Sequence, residues 1–410
     1  MNRPRCCLVA AALLAGLNAG ARADDQPSLN IGGFGSLGLS YHASEGHEYR
    51  RSMDQHEGTR AGQVNAATDS RVGLQLGADT GHGVDAVIQG VSRLRADNNW
   101  RPDMTWAFVR LSPTPDWQFR AGRIGLETRL QSDSRSIGFA FTPVRVLPEL
   151  FAHVAYEYFD GVDITQKHSL DDVLISTNFY HGFLNMEVPS STGGLTRYGE
   201  GRISALAVTL ERGDWQGRLH GGSVRLLDNG SFQTLSDGLR ATSIPSAIRS
   251  AERIDFQGRY ARFVGADLGY ASGPFSLEAS WLYLRAPKDA AVLTSDRAYS
   301  VLGSYRFGQF KPYLGLGRAS GQSAELENGL PDIPALRELR RNVNEINAHR
   351  ERAQQTITLG LRYDINNHLA LKFQVDQVRA KRSRLLSDSS SDAHRYRSLT
   401  LWSSSLDFVF

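Results

Sequence analysis

The sequence predicts an all-β chain folded as a transmembrane antiparallel up-and-down barrel of about sixteen strands. Three observations carry this prediction. Segments in which apolar residues alternate with other residues recur along the chain. The connections between them alternate between tight turns and long polar stretches. The last segment, Leu406-Asp407-Phe408-Val409-Phe410, stops in mid-strand on an aromatic. At period 2, Phe410, Phe408, Leu406 and Trp402 form an apolar stripe suited to hydrocarbon, while Asp407, Ser405 and Ser403 face a wet interior. A soluble sheet rarely leaves an aromatic on its frayed final residue, where packing is poorest.

At the other end, Arg3 and Arg5 precede the apolar run Leu8 to Leu17, and Ala21-Arg22-Ala23 forms a small-residue cleavage site. Residues 1–23 therefore read as a secretory signal and 24–410 as the mature barrel domain. The apolar run is shorter than the roughly 20 residues a helical span needs. Both cysteines, Cys6 and Cys7, fall inside the signal, which excludes a disulfide framework, a Cys-ligated metal and a lipoprotein anchor. Removing Arg3, Arg5 and Arg22 leaves 43 basic residues against 43 acidic ones. A neutral mature chain gives no reason to expect nucleic acid as a partner. No mature segment approaches a helical span, yet a barrel needs only alternate residues to be apolar.

The strands follow in order. The first runs from Leu29 to His42, with Leu29, Ile31, Leu37, Leu39 and Tyr41 on one face beside Gly33 and Gly35. The second, Arg71 to Asp79, sets Val72, Leu74, Leu76 and Ala78 against Arg71, Gln75 and Asp79, and a Gly-containing turn leads into Val84 to Arg93. The remaining segments are Thr105–Leu111, Trp117–Arg123, Val162–His168, Val173–Gly182, Ile203–Glu211, Gln216–Leu226, Phe256–Ala271, Phe275–Arg285, Tyr299–Arg306, Lys311–Ala319, Thr356–Asp364, Leu369–Arg379 and Ser398–Phe410. Tight turns such as Gly213-Asp214, Ser272-Gly273-Pro274, Gly308-Gln309 and Asn366-Asn367 are mostly flanked by aromatics, as an interfacial girdle demands. The long loops fall at 43–70, 124–160, 183–202, 227–255, 320–354 and 380–397. One short end and one long end is the asymmetry of a barrel inserted from the periplasm.

The residues that carry a family resemblance are Asp69-Ser70-Arg71-Val72-Gly73-Leu74, Trp106-Ala107-Phe108-Val109-Arg110, Ala121-Gly122-Arg123 and Phe159-Asp160-Gly161-Val162-Asp163, in that order and spacing. Over most of its mature length the chain resembles the general diffusion porins of Gram-negative outer membranes. The resemblance implies a homotrimer of water-filled barrels, passive diffusion of small hydrophilic solutes and ions, and a third loop, here Ile124 to Phe159, folded inward. It also implies that Phe410 belongs to the assembly signal.

The third loop reads the same way from its residues. Ile137-Gly138-Phe139-Ala140-Phe141, Leu147, Leu150 and Phe151 are too apolar to be solvated, so the loop must pack against the wall. Asp133, Glu149 and Glu157 are its acidic candidates for a constriction. Strand phase places Arg71, Arg110 and Arg120 on the facing inner wall, with Arg93 in the same basic group and Arg123 at the rim where the loop begins. Opposed acidic and basic walls create a transverse field that sets ion preference. Arg362 and Lys372 extend a basic ladder on strands fourteen and fifteen, which points to a mild anion preference.

Other patterns carry less. His42, His47, Glu48, His56 and Glu57 lack metal-site spacing, so neither a metal nor another cofactor is expected. Pro334 to Arg352 has helical spacing and a basic face that is either solvated or turned to lipopolysaccharide phosphates or a neighbouring subunit. Trp106 with Phe108 is at best a fragment of the aromatic slide of a sugar-selective channel. A barrel-borne enzyme is disfavoured by the strand count, and no nucleophile elbow or zinc run is present. The third class, a closed structural or adhesive barrel, would lack conductance.

Overall fold

The computed structural model describes residues 27–146, 148–151, 156–189, 195–383, 385–388 and 396–410. The signal segment and Leu147 lie outside them, as does the side chain of Phe151. Sixteen strands close into one barrel in which every neighbour is antiparallel. They are β1 (Ser28–Tyr41), β2 (Arg71–Asp79), β3 (Val84–Arg93), β4 (Asp103–Thr114), β5 (Trp117–Gly125), β6 (Tyr158–Leu170), β7 (Val173–Pro189) and β8 (Leu195–Arg212). The second half comprises β9 (Trp215–Leu226), β10 (Tyr260–Ser272), β11 (Phe275–Arg285), β12 (Ser295–Tyr305), β13 (Phe310–Gln322), β14 (Glu351–Asn366), β15 (Leu369–Lys381) and β16 (Arg397–Val409). Closure pairs Phe34 with Val409 and Tyr41 with Trp402.

Side-chain alternation now has a definite outside. Leu37 and Leu39 of β1, Leu219 of β9, Leu359 of β14 and Trp402 of β16 are all at least half exposed, an apolar outer wall that only lipid or another protein can cover. Phe410 and Phe408 lie flat over Gly33 and Gly35, where a Cβ would come within 2.2 and 2.4 Å of the two rings. The terminal aromatics thus seal the seam between first and last strand. At the short-turn end the aromatic girdle includes paired rings: Trp215 with Tyr270 at 4.4 Å, Tyr305 with Phe307 at 4.5 Å and Phe310 with Tyr363 at 4.8 Å. The turns there are tight, with Gly213 at φ 53° and Gly273 at φ 54°, backbone that a side chain would strain.

The segment 183–202, expected to be a long loop, is mostly strand: β7 runs to Pro189 and β8 starts at Leu195. Its polar residues belong to strands that extend beyond the apolar band, so polarity alone misplaced the boundary. The loop after β9 holds two helices not anticipated from sequence, α1 (Gln233–Ala241) and α2 (Pro245–Ile254). The predicted helix in the loop after β13 is α3 (Arg337–Ala348). Its apolar side packs inward: Val343 is fully buried with Leu239, Ala247, Ile254 and Phe256 in the core of a folded cap. Asn229 fastens the cap, its Oδ1 accepting from the amides of Phe256 (2.9 Å) and Gln257 (3.0 Å). In the first loop, His42 is buried with Nε2 2.8 Å from the Thr59 carbonyl, and no metal-binding group of acids and histidines occurs among the described residues.

Candidate functional site

Loop 3, between β5 and β6, crosses the lumen and docks on the wall formed by β11 to β16 and β1. Its segment 138–144 has no strand partner, so its carbonyls need donors from elsewhere. Lys372 of β15 supplies them, its ammonium 2.7 Å from the Gly138 carbonyl, 3.1 Å from that of Pro143 and 2.8 Å from Asp407. Arg362 of β14 donates to the carbonyls of Phe139 and Phe141, each at 2.7 Å, and lies over the Phe139 ring. These two residues, expected to line the pathway as a basic ladder, are instead buried beneath loop 3 as its tie points.

The loop answers with its own buried ions. Arg145 reaches Asp69 (2.6 and 2.9 Å), Asp376 of β15 (2.8 Å) and Ser403 of β16 (2.5 Å). Glu149 is likewise directed into the wall and accepts from Gln354 (2.9 Å) and Thr356 of β14. Burial raises its pKa, and the two hydrogen bonds only partly oppose that shift. Gly138 is required where the loop meets the wall, since a Cβ there would fall 2.3 Å from Ser36 Oγ and 2.4 Å from Asp407 Oδ1. Phe141, Val144 and Leu150 are buried by this docking.

Of the other acidic candidates, Asp133 is exposed and Glu157 faces the opposite wall, 3.2 Å from Arg93 and 3.8 Å from Arg135. The basic candidates divide. Arg93 is also paired with Asp54 of loop 1 at 2.6 Å. Burial works to raise the Asp54 pKa, but Arg93 outweighs it and holds the carboxyl at about 2. Arg120 is held between Asp163 and Glu127, and its guanidinium lies 5.5 Å from the Phe108 ring. Arg110 pairs with Asp85 at 2.8 Å, close to the Thr114–Trp117 turn and away from loop 3. Arg123 is opposed to Ala107 and Asp160, on the face of Ala121 and Val162 that points away from the lumen, and it pairs with Asp160 at 2.8 Å. That face follows from pairing register, so the rim position read from sequence did not carry Arg123 into the lumen.

Arg71 differs from these. It is 7% exposed, its Nε has no hydrogen-bond partner, and it makes no ion pair among the described residues. It lines a small cavity of about 60 Å³ with Arg51, Arg93, Arg135, Ser52, Ser136, Val146 and Glu157. Four guanidinium groups and one carboxylate therefore converge where loop 1, loop 3 and the β2–β3 wall meet. Arg51 and Arg135 come from loops and carry no strand phase that would have drawn attention to them. Arg145, Asp69 and Asp376 were missed as a triad for a related reason, since only barrel closure brings them together.

The fold has many solved likenesses at low identity. OmpT, an outer membrane protein of Vibrio cholerae, superposes with a TM-score of 0.53 at 11% identity, covering 96% of this chain and 100% of its own. An anion-selective porin from Comamonas acidovorans gives 0.51 at 14% identity, over 94% of this chain and all of the other. Salmonella typhi OmpF, in a complex with daunomycin, gives 0.52 at 12% identity, over 95% of this chain and 99% of the other. No curated relative matches the sequence. The family model for Gram-negative porins matches residues 9–397, and with a closed sixteen-stranded barrel, an apolar outer wall and a loop docked across the lumen, the chain belongs to that family of the outer membrane.

Proposed function

We propose that this porin is a passive, non-enzymatic channel for small hydrophilic solutes and ions, with a basic constriction that favours anions. The observation that supports the preference is Arg71: a buried guanidinium, in a cavity with three more arginines and one carboxylate, that forms no ion pair among the described residues. Arg93, Arg110, Arg120 and Arg123 each have a carboxylate partner, so their charge is largely compensated locally. Planar-bilayer recording of the reversal potential in a salt gradient tests this. Arg71→Gln is expected to lower the anion-to-cation permeability ratio by about fivefold, the effect of roughly 1 kcal/mol of water-screened attraction. An unchanged reversal potential removes Arg71 from the constriction.

The assembly reading is a homotrimer. Outward positions of β1 and β2 carry only Leu29, Ile31, Gly33, Gly35, Leu37, Leu39, Tyr41, Val72, Leu74, Leu76 and Ala78, a smooth uncharged face fit for a subunit contact. On the far side, Arg202, Arg225, Arg262, Arg285 and Arg297 point outward in register near the long-loop rim, where lipopolysaccharide phosphates would meet them. Leu39→Asp should yield folded monomers on semi-native gels. Residues 1–23 act as the cleaved signal in this reading, which N-terminal sequencing of the mature protein checks. Phe410 serves assembly by sealing the β1–β16 seam.

A further inference from the structure

Between loop 3 and the long-loop end, the lumen holds a cavity of about 140 Å³ that does not suit a hydrophilic solute. Its wall is built from inward positions of five successive strands: Leu184 of β7, Ile203 of β8, Val224 and Leu226 of β9, Phe263 of β10 and Leu282 of β11. Part of this wall seats loop 3, with Leu184 and Ile203 beside Leu126 and Tyr156 and Leu282 beside Leu150, and the space left between them is apolar, unlike the normally polar interior of a barrel. Comparable cavities of about 150 Å³ lined by Leu, Ile and Phe stay dry and accept benzene in other proteins.

Three charged residues are part of the lining. Arg129 and Arg135 come from loop 3, and Arg135 also lines the small cavity that contains Arg71. Asp296, on the lining, is paired with Arg352 and so is compensated. Arg129 lies 3.9 Å from Asp267 and Arg135 3.8 Å from Glu157, so the basic excess beside the site is that of the adjoining four-arginine cavity.

We propose that this cavity is a binding station for small organic anions with a compact aromatic or aliphatic body, the apolar part lodged among the β7–β11 side chains and the carboxylate turned toward Arg135 and Arg129. This rests on the channel reading and names its solute class. Burial of the body supplies affinity, and the arginines supply orientation.

The test is block of potassium chloride current through the full-length protein in planar bilayers by 3-phenylpropionate and by propionate. The two probes share a carboxylate and differ in the apolar body. Half-block by 3-phenylpropionate is expected at a concentration about tenfold lower than by propionate. Val224→Phe fills the cavity and should erase the difference while the chloride current persists. Should that variant fail to show heat-modifiable mobility, Leu282→Ser provides the same readout by making the wall polar. Equal block by both probes in the parent protein, or an undiminished difference in a folded variant, overturns the station and leaves the channel reading intact. A silent bilayer in potassium chloride alone overturns the channel reading itself.

Discussion

The two sides of the inner wall behave oppositely. Beneath loop 3 the inward residues of β14 to β16 are polar and buried, among them Gln354, Thr356, Thr358, Arg362, Lys372, Gln374, Asp376, Ser403, Ser405 and Asp407. From β7 to β11 the upper inward residues are Leu184, Ile203, Val224, Leu226, Phe263 and Leu282. Loop 3 binds the polar side through ions and hydrogen bonds and meets the apolar side only through Leu126 and Leu150, which pack beside Leu184, Ile203 and Leu282. A loop with unpaired carbonyls and buried ions needs donors and counter-ions, and a greasy wall cannot provide them. The polar sector thus holds the loop by directional bonds, whereas the apolar sector offers burial and, in the proposed station, space for solute.

The predictions test that division, beginning with the largest expected effect. Arg145→Leu strands Asp69 and Asp376 in the docked interface and is expected to cost about 3–5 kcal/mol, seen as a lower temperature for loss of heat-modifiable mobility. The same variant should raise single-channel conductance, because loop 3 loses its main tie to the wall. Lys372→Met removes donors to two loop carbonyls and the partner of Asp407, with an expected loss of about 2–3 kcal/mol and noisier open-channel current. Gly138→Ala leaves every ion pair in place but overpacks the contact with Ser36 and Asp407, for about 1–3 kcal/mol. By contrast, Ile203→Val on the apolar side should leave conductance in potassium chloride unchanged and cost about 1 kcal/mol. Equal effects from the two sides would erase the distinction.

The smallest effect is a pH dependence of opposite sign at two loop acids. Glu149 has its pKa raised by burial, so its contribution to stability is full below the ordinary carboxylate pKa and is lost as pH rises through the raised value. Asp54, held at about 2 by Arg93 against the cost of burial, contributes above its ordinary pKa and loses that contribution as pH falls toward about 2. Glu149→Gln should therefore remove the fall in stability that sets in above the ordinary carboxylate pKa, and Asp54→Asn the fall that sets in below it. Melting profiles of the two variants that fail to differ in this way would remove both loop acids as pH-dependent elements.

Much of the barrel was legible because period 2 is a rigid geometric rule. Trp402, Leu406, Phe408 and Phe410 did face outward, and Asp407, Ser405 and Ser403 inward, as their alternation required. The inward phase of Arg71 and Arg120 followed from the same rule. Arg123 escaped because it lies on the other face, opposed to Ala107 and Asp160, although a rim position read from sequence seemed to bring it to the pathway. The wet interior expected around Asp407 is in fact a dry contact with Lys372 under loop 3. Loop polarity misled at 183–202, where strands run past the apolar band, and the helices α1 and α2 carried too short and interrupted a pattern to stand out.

By itself the sequence determined the barrel, its two faces and the inward fold of an apolar loop, because side-chain alternation and hydrophobic burial act between near neighbours along the chain. Only the tertiary structure decided which charges survive. Asp376 reaches Arg145, and Arg71 is left without an ion pair among the described residues, through the closure of β16 on β1 and the path of loop 3. Coulomb pairing depends on separation in space, and register and closure must be fixed before that separation exists.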